Sequence, residues 1–303
     1  MIKTLDLVFN DSTIFKSLFN IISQVKDDIT IEIICDDDDN DSKKNKKIYT
    51  KGTFKIVTLD STKCAFIDLK IKSEYFSVFK SKNKTHDICL SAVNFNKILK
   101  TMSKDDKLNI YIDNAYQNKL FIEITDINNN IVKYHIKLYD NEKKNLFPKF
   151  NFNAIGLING LKFHKICDDM SKFADDIIID INQENIIITC DGDLIGGSAV
   201  LNQDNISIKF NTSDIENIRN KYSLKYLLLF EKCASYCDKI QLFFAENHPI
   251  CIKYIFDDIQ QEKSNIGQLI LGISPINDEY DDNFSDDDEI YEENESQLKM
   301  KYI

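Results

Sequence analysis

Apolar residues follow a helical period in two stretches of the chain that lie 148 positions apart. In each stretch, four of them are spaced three or four residues apart: Phe15, Leu18, Ile22 and Val25 in the first, and Phe163, Ile166, Met170 and Phe173 in the second. This spacing predicts an amphipathic helix with one buried stripe. Ser12 precedes the first stripe as a candidate N-cap, and Asn159-Gly160 precede the second.

Each predicted helix runs into a strict alternation of apolar and polar residues, at 29–33 and at 177–181, which is typical of a half-buried strand. The similarity continues from 56–60 to 187–191 and from 106–112 to 238–244. A second amphipathic helix is expected in each copy, near Phe95–Lys100 and Leu224–Lys232. The chain therefore contains an internal repeat, which predicts an α+β protein of two similar domains, each with two helices packed on antiparallel sheets.

The offset between the copies falls from 148 to about 132, which indicates an insertion in the first copy. The polar residues 35–50 account for it, because they offer little to bury. We therefore expect an N-terminal domain at 1–138, a connector at 139–149, a second domain at 150–276 and an acidic, disordered segment at 277–303.

Net charge is −11 over the 303 residues, but it is unevenly distributed. Residues 277–303 hold eleven Asp or Glu and two Lys, so this segment alone carries −9. Such a composition predicts an unfolded segment. The remainder is nearly neutral, so overall acidity does not exclude contact with nucleic acid.

Neither a secretory apolar region nor a run long enough to span a bilayer is visible, which predicts a soluble intracellular protein without membrane contact. The eight cysteines form no CxxC pair and are expected to be reduced thiols. Cys233 and Cys237 are four residues apart, but no second pair completes a zinc site. We expect neither a metal nor a cofactor.

No arrangement of residues predicts catalysis. The run Asp36–Asp39 lacks the glycine and terminal glutamate of a calcium loop, and Asp191-Gly-Asp193 is typical of a turn after a strand. The four histidines lie far from any nucleophile motif. A non-enzyme is therefore expected, and a metal-dependent nuclease that uses Asp36–Asp41 or Asp191 and Asp193 stays as a remote alternative.

Lysines recur on the polar faces of the four predicted helices: Lys16, Lys97, Lys100, Lys165, Lys225 and Lys232. Ordinary solvated helix faces would explain them. However, the positions recur between the copies, as for Lys100 and Lys232, and helices on one side of a sheet would gather them on one surface. A basic surface without interleaved aromatic residues suits phosphate contact and not base reading.

Several segments together resemble one family, the eukaryotic and viral DNA sliding clamps called proliferating cell nuclear antigen (PCNA). The resemblance covers roughly residues 4–276 and is carried by Thr58–Thr62, Leu69–Phe76, Asn96–Lys100, Phe163–Ser171 and Leu224–Lys232. Pro148, Pro249 and Pro275 also fall where the family has prolines.

The resemblance implies a DNA polymerase processivity factor that acts in replication and repair. It would be a homotrimeric ring that encloses duplex DNA without sequence preference and binds DNA polymerase, a clamp loader and proteins with clamp-binding peptides. By the match, the six lysines line the hole, and strand 131–138 pairs with 195–202 of the next subunit. The interface residues it implies are Ile131, Tyr134, Ile136, Leu138, Ile195, Ser198 and Val200.

The resemblance also implies a pocket for partner peptides under the connector, with Leu146 and Phe147 pointing into it. Its other walls would be Leu59, Cys64, Pro249, Ser274 and Pro275. Gly272 stands where the family usually has an aromatic pocket residue, and Phe15 and Asp168 replace basic residues expected at the hole.

Two alternatives share this fold: a subunit of a checkpoint-type heterotrimer, and a monomeric viral processivity factor. The near absence of arginine beside abundant Lys, Asn and Ile indicates an AT-rich coding genome. The expected origin is a large DNA virus. The expected location is the nucleus or a viral replication compartment.

Overall fold

The computed structural model describes residues 2–9, 12–36, 48–140, 150–203, 206–211, 217–258 and 263–276. Most of the predicted insert (37–47), most of the connector (141–149, with Leu146 and Phe147) and the acidic segment 277–303 lie outside the described residues.

The first half of the chain contains two helices and nine strands within the described ranges. They are β1 (Lys3–Phe9), α1 (Thr13–Val25), β2 (Asp28–Cys35), β3 (Gly52–Leu59), β4 (Ala65–Lys72), β5 (Val78–Ser81), β6 (Thr85–Ser91), α2 (Ala92–Lys100), β7 (Lys107–Asp113), β8 (Lys119–Thr125) and β9 (Ile131–Lys137).

The second half repeats this order: strand, helix, strands, helix, strands. Its elements are β10 (Ala154–Asn159), α3 (Gly160–Met170), β11 (Asp176–Asn182), β12 (Asn185–Asp191), β13 (Gly196–Asn202), β14 (Ile206–Phe210), β15 (Asn217–Ser223), α4 (Leu224–Leu229), β16 (Lys239–Phe244), β17 (Ile250–Asp258) and β18 (Lys263–Ile273), with a 3₁₀ segment Glu231–Tyr236 after α4.

All strands pair antiparallel, in three sheets. The strand orders are β5-β1-β7-β8-β9, β14-β10-β16-β17-β18-β4-β3-β2-β6 and β13-β12-β11-β15. The nine-stranded sheet contains strands of both halves, because β18 pairs with β4 from Gly267↔Ile71 to Ile273↔Ala65. We call this pairing the shared seam. It joins the two halves by backbone hydrogen bonds as well as by side-chain packing.

The core lies between the helices and the sheets. The apolar stripe of α1 is buried as predicted, and its Phe15 and Phe19 rings contact Phe95 of α2 at centroid distances of 6.1 and 4.6 Å. Burial of several aromatic side chains is the largest single stabilising contribution that such a helix pair makes. The prediction that Phe15 stands at the hole is therefore wrong, since Phe15 is fully buried.

Local chemistry explains where the helices begin. Asn159 caps α3, since its side-chain oxygen accepts a hydrogen bond from the Lys162 amide at 2.9 Å, as its position predicts. Ser91 does the same for α2 through the Asn94 amide. Ser12 occupies the predicted N-cap position of α1, and its carbonyl accepts the first helical hydrogen bond from the Lys16 amide at 2.8 Å. However, its φ of −100° and ψ of 4° are not the extended conformation of a capping residue, and its side chain makes no cap bond.

The predicted helix Leu224–Lys232 is shorter than expected. The α-helix ends at Leu229, and the chain tightens into 3₁₀ geometry from Glu231. The tighter turn buries Cys233 and Ala234 next to Gly160, where a Cβ would lie 3.2 Å from that of Ala234. Lys232 consequently projects from a 3₁₀ segment.

Candidate nucleic-acid interface and partner pocket

The helices of the two halves form one layer. α1 packs beside α2, α3 packs beside α4, and α1 also contacts the 3₁₀ segment that follows α4. The Ser17 hydroxyl lies 2.7 Å from the Tyr236 hydroxyl across this junction. Groups that point away from the sheets on any of these elements therefore belong to a common surface.

Five of the six predicted lysines are exposed on that layer. We call Lys97, Lys100, Lys165, Lys225 and Lys232 the lysine face. Within the described part of the chain, none of the five has a carboxylate oxygen within 4 Å of its ammonium group. Lys97 reaches only the Asn94 amide oxygen, and Lys225 lies 5.3 Å from the centre of the Tyr226 ring. These ammonium groups are available to an external anion.

Lys16 is placed differently. It is half-buried, and its ammonium group donates a hydrogen bond to the Met102 carbonyl, with an Nζ to O distance of 2.7 Å. Met102 follows α2, where helix carbonyls have no partner in the next turn. Lys16 therefore ties α1 to the end of α2, a role that its sequence position did not reveal.

Asp168 lies beside the lysine face on α3. Its carboxylate pairs with Lys172 at 3.3 Å, and Lys172 also binds Asp169 at 2.8 Å. The charge of Asp168 is thus partly compensated by a lysine in the turn just after α3, so this end of the helix presents both signs to solvent.

A polar contact that the sequence did not predict joins the two halves close to the lysine face. The Asp60 carboxylate, after β3, accepts hydrogen bonds from the Tyr226 hydroxyl of α4 at 2.7 Å, from the Ala65 amide at 2.8 Å and from the Thr62 hydroxyl. Burial raises the pKa of Asp60, but these hydrogen bonds outweigh it and hold that pKa below its usual value. Asp60 is therefore an ionised tie between β3 and α4.

The described wall residues of the predicted partner pocket come together at the end of the shared seam. The Ser274 amide donates to the Cys64 carbonyl at 2.8 Å, and Pro249 directly precedes Ile250, which pairs with Ile273. Leu59 and Cys64 lie on either side of the β3–β4 turn. Their side chains and those of Pro249, Ser274 and Pro275 are at least partly exposed, so they can contact a ligand.

Gly272 lies in the same region, opposite Phe66 in the shared seam. A Cβ at position 272 would overlap the Phe66 ring, so the absence of a side chain at 272 makes room for that ring. Phe66 in turn stacks on Phe150, with ring centres 5.9 Å apart and planes inclined by 14°. The aromatic surface beside the pocket is thus supplied by β4 and not by β18.

The two strands predicted to meet between subunits are both sheet edges. β9 ends the five-stranded sheet and β13 ends the four-stranded sheet. Ile131, Ile195 and Val200 are 53%, 53% and 54% exposed, and Ser198 is also exposed. Tyr134 and Leu138 are half-buried, and Ile136 faces the core of its own subunit. Exposed apolar edges of this kind are normally covered by another strand.

The residues of the nuclease alternative do not form a cluster in the described ranges. Asp191 and Asp193 are exposed at the turn between β12 and β13, and Asp36 lies at the end of β2, in the other half. Among the described residues, no three His, Cys, Asp or Glu side chains are arranged to hold a metal ion. In the same part of the chain, every helix is too short or too polar to cross a membrane.

Comparison with known proteins shows what this chain is similar to. Residues 146–266 match the family model of the PCNA C-terminal domain. A probable DNA polymerase sliding clamp of Paramecium bursaria Chlorella virus 1 is 24% identical over 273 residues, which span 87% of this chain and 93% of that protein. The PCNA of Dictyostelium discoideum is 26% identical over 216 residues, 66% of this chain and 80% of that protein.

The chain is similar to PCNA-type sliding clamps over most of its length.

The crystal structure of Entamoeba histolytica PCNA has the same fold, with a TM-score of 0.72 at 18% identity over 91% of this chain and all of that one. The predicted PCNA resemblance and fold class are therefore confirmed. The roles of individual site residues stay predictions. The lysine face and the two edge strands are exposed, and the described pocket walls lie close together.

Proposed function

We propose that this protein is a DNA sliding clamp, a processivity factor that encloses duplex DNA as a ring of three identical subunits. The observation that carries the proposal is the lysine face, five exposed ammonium groups on one helical layer shared by both halves of the chain. The names of the viral and Dictyostelium relatives support it.

In the ring, β9 of each subunit pairs with β13 of the next. Such a contact is heterologous, and it closes after three subunits when each is rotated by one third of a turn. The helical layer of each subunit, α1 to α4 with the 3₁₀ segment after α4, then faces inward. The exposed apolar residues of β9 and β13 become buried, which stabilises the ring and covers both edges.

Retention on DNA is topological. The lysine face makes weak, screened contacts to phosphates, and these contacts exchange readily as the ring moves along the duplex. The ring tethers DNA polymerase and other partners that carry clamp-binding peptides, which raises their concentration at the template. The chain has no catalytic role, and a separate ATP-driven loader opens the ring.

The partner peptides bind near Cys64, Pro249, Ser274 and Pro275, beneath the connector that carries Leu146 and Phe147. Hydrophobic and aromatic anchors on the peptide supply most of the affinity, as is usual when a few side chains fill a pocket. The protein acts in the nucleus or in a viral replication compartment, and it serves DNA repair as well as replication.

Loading onto DNA tests the topological mechanism. Protein loaded onto nicked circular DNA is expected to survive a wash at high salt and to be lost once the circle is cut, since a ring leaves a linear duplex at its ends. Equal loss from circular and linear DNA would contradict enclosure and would indicate electrostatic binding only. Magnesium-dependent cleavage of the DNA that Asp191→Ala abolishes would support the nuclease instead.

A further inference from the structure

The lysine face is a positive surface, and among the described residues none of its five ammonium groups has a carboxylate oxygen within 4 Å; at longer range, Lys165 interacts with Asp169. All five ammonium groups are exposed, and the nearest acidic side chains on α3, Asp168 and Asp169, are both engaged by Lys172. Charges of one sign held this close attract any anion that can reach them.

Residues 277–303 carry the opposite charge at high density. Eleven of these 27 residues are Asp or Glu, and the net charge of −9 is most of the −11 of the whole chain. The acidic residues cluster at Asp286–Glu289 and Glu292–Glu293, so a short stretch presents several carboxylates at once. Within these short runs there is one carboxylate per residue, which is comparable in sign and spacing to a nucleic-acid strand with one negative charge per about 3.4 Å.

The chain enters this segment beside the strand that leads into α4, the helix that carries Lys225. Ile276 is the last described residue, and its amide donates to the Lys221 carbonyl at 2.8 Å. Lys221 lies in β15, which leads directly into α4, and Lys225 is only four residues further along. Consecutive Cα atoms are about 3.8 Å apart, so Lys221 and Lys225 are separated by at most about 15 Å.

The length of the segment is sufficient to cover the face. A chain of 27 residues that the sequence predicts to be unfolded has a typical end-to-end distance of about 30 Å, roughly the span of a small domain. Attachment at Ile276 holds its carboxylates near the lysines at an effective concentration on the order of millimolar. Weak ion pairs then suffice for contact.

We propose that residues 277–303 occupy the lysine face when DNA is absent, and that duplex DNA displaces them. The proposal rests on the proposed function, since it names a second, intramolecular ligand for the surface that binds phosphates. The segment lowers the affinity for free DNA ends and for other polyanions, whereas a ring already closed around DNA is held by topology. Screening by salt weakens the contact.

Zero-length carbodiimide cross-linking of the full-length protein, read by mass spectrometry, tests the contact directly. Cross-links are expected between carboxylates of 277–303 and Lys165, Lys225 or Lys232, and an excess of a 30-base-pair duplex should remove them. Cross-links spread evenly over exposed lysines away from the helical layer, such as Lys51 and Lys80, would overturn the proposal.

A binding experiment tests its consequence. Replacing each Asp by Asn and each Glu by Gln within 277–303 should tighten binding to the labelled duplex about tenfold in low salt, with the difference vanishing near 0.5 M salt. A shuffled segment of the same composition should behave like the native one, because charge and not order is recognised.

The same amide replacement is then made with Lys97, Lys100, Lys165, Lys225 and Lys232 changed to Gln. If the segment acts through the lysine face, the tenfold gain should disappear. An equal gain in both backgrounds would mean that the segment acts only through net charge. Failure of the protein to bind DNA with either segment would refute the proposed function, and the cross-links would still report on the intramolecular contact.

Discussion

His164 is a titratable residue enclosed in the core of the second half. It is 1% exposed on α3, and its Nε2 lies 2.8 Å from the hydroxyl of Tyr254, which is itself buried. Burial lowers the pKa of His164 to about 4 and raises that of Tyr254. The neighbouring Cys167 thiol stays protonated, since burial raises its pKa to about 12. His164 is therefore neutral in the folded protein at neutral pH.

This burial predicts a loss of stability in acid. The unfolded chain takes up a proton at His164 near pH 6.5, whereas the folded protein does so only near pH 4. The contribution of neutral His164 to the free energy of unfolding is thus complete above pH 6.5. It falls by roughly 3 kcal/mol as the pH drops to 4. In His164→Gln that part of the decline should disappear from chemical denaturation measured between pH 4 and 7.

The matched control is His248→Gln, because His248 is exposed. The decline attributed to His164 should persist in this variant. If the unfolding free energies of His164→Gln and the wild-type protein declined in parallel, another group would be responsible for the acid sensitivity.

Sequence patterns predicted the buried stripe of α1 correctly, but the stripe of the second copy was wrong at Phe173, which lies after the end of α3 and is 45% exposed. Polar contacts were predicted poorly. The helical spacing from Phe15 to Val25 placed the stripe of α1 correctly, because burial depends on period alone. Lys16, one residue further along, was expected at the DNA surface, yet its ammonium group meets a carbonyl 86 residues away. Contacts between distant segments, such as that of Asp60 with Tyr226, leave no periodic signal.

At the scale of the elements, the lysines of the helical layer fall into two groups: five are exposed to solvent, and Lys16 donates a hydrogen bond to a backbone carbonyl. Replacing Lys97, Lys100, Lys225 and Lys232 by Ala should weaken binding to duplex DNA by at least about tenfold and reduce the salt dependence, because each lost phosphate contact lowers the slope by nearly one. Fluorescence anisotropy over a salt series measures both quantities.

The control variant removes four exposed lysines outside the helices: Lys51, Lys72, Lys80 and Lys82. It should change DNA affinity little, although the net charge changes equally. A similar loss of DNA affinity in both variants would show that the helices have no special role.

Lys16 is expected to contribute to stability. Lys16→Ala should lower the free energy of unfolding by about 1 kcal/mol, since the Met102 carbonyl loses its partner.

The shared seam depends on a fit between Gly272 and Phe66. Gly272→Ala should displace the Phe66 ring from its stack on Phe150 and lower the free energy of unfolding by about 1–3 kcal/mol. In the Phe66→Ala background the same change should cost much less, because the space is then empty. A double-mutant cycle by chemical denaturation gives the coupling.

Gly197→Ala is the control, since a Cβ there would lie 3.5 Å from the Cys190 sulfur, an ordinary contact. An equal cost of Gly272→Ala with and without the Phe66 ring would mean that backbone conformation, not ring overlap, selects glycine. The sequence showed that position 272 lacks an aromatic residue. Only the register of β4 against β18 shows that Phe66 fills the space.

At the scale of the whole molecule, the exposed edges decide the assembly. Sedimentation should give a mass three times that of one chain, and Val200→Glu should shift it toward the monomer, because a carboxylate would be buried beside the neighbouring strand. Leu161→Glu, at a similarly exposed position on α3, should leave the mass unchanged. A wild-type monomer would favour the monomeric processivity factor.

The shared seam also determines where such an assembly can come apart. Separating the two halves of one chain would break a continuous run of seven residue pairs and the tie between Asp60 and Tyr226, whereas separating two chains would break only the β9–β13 contact. In the proposed ring, each chain would therefore act as one stiff arc. A loader that spends ATP to open the ring would part it at a joint between arcs, and the gap would form with both arcs intact.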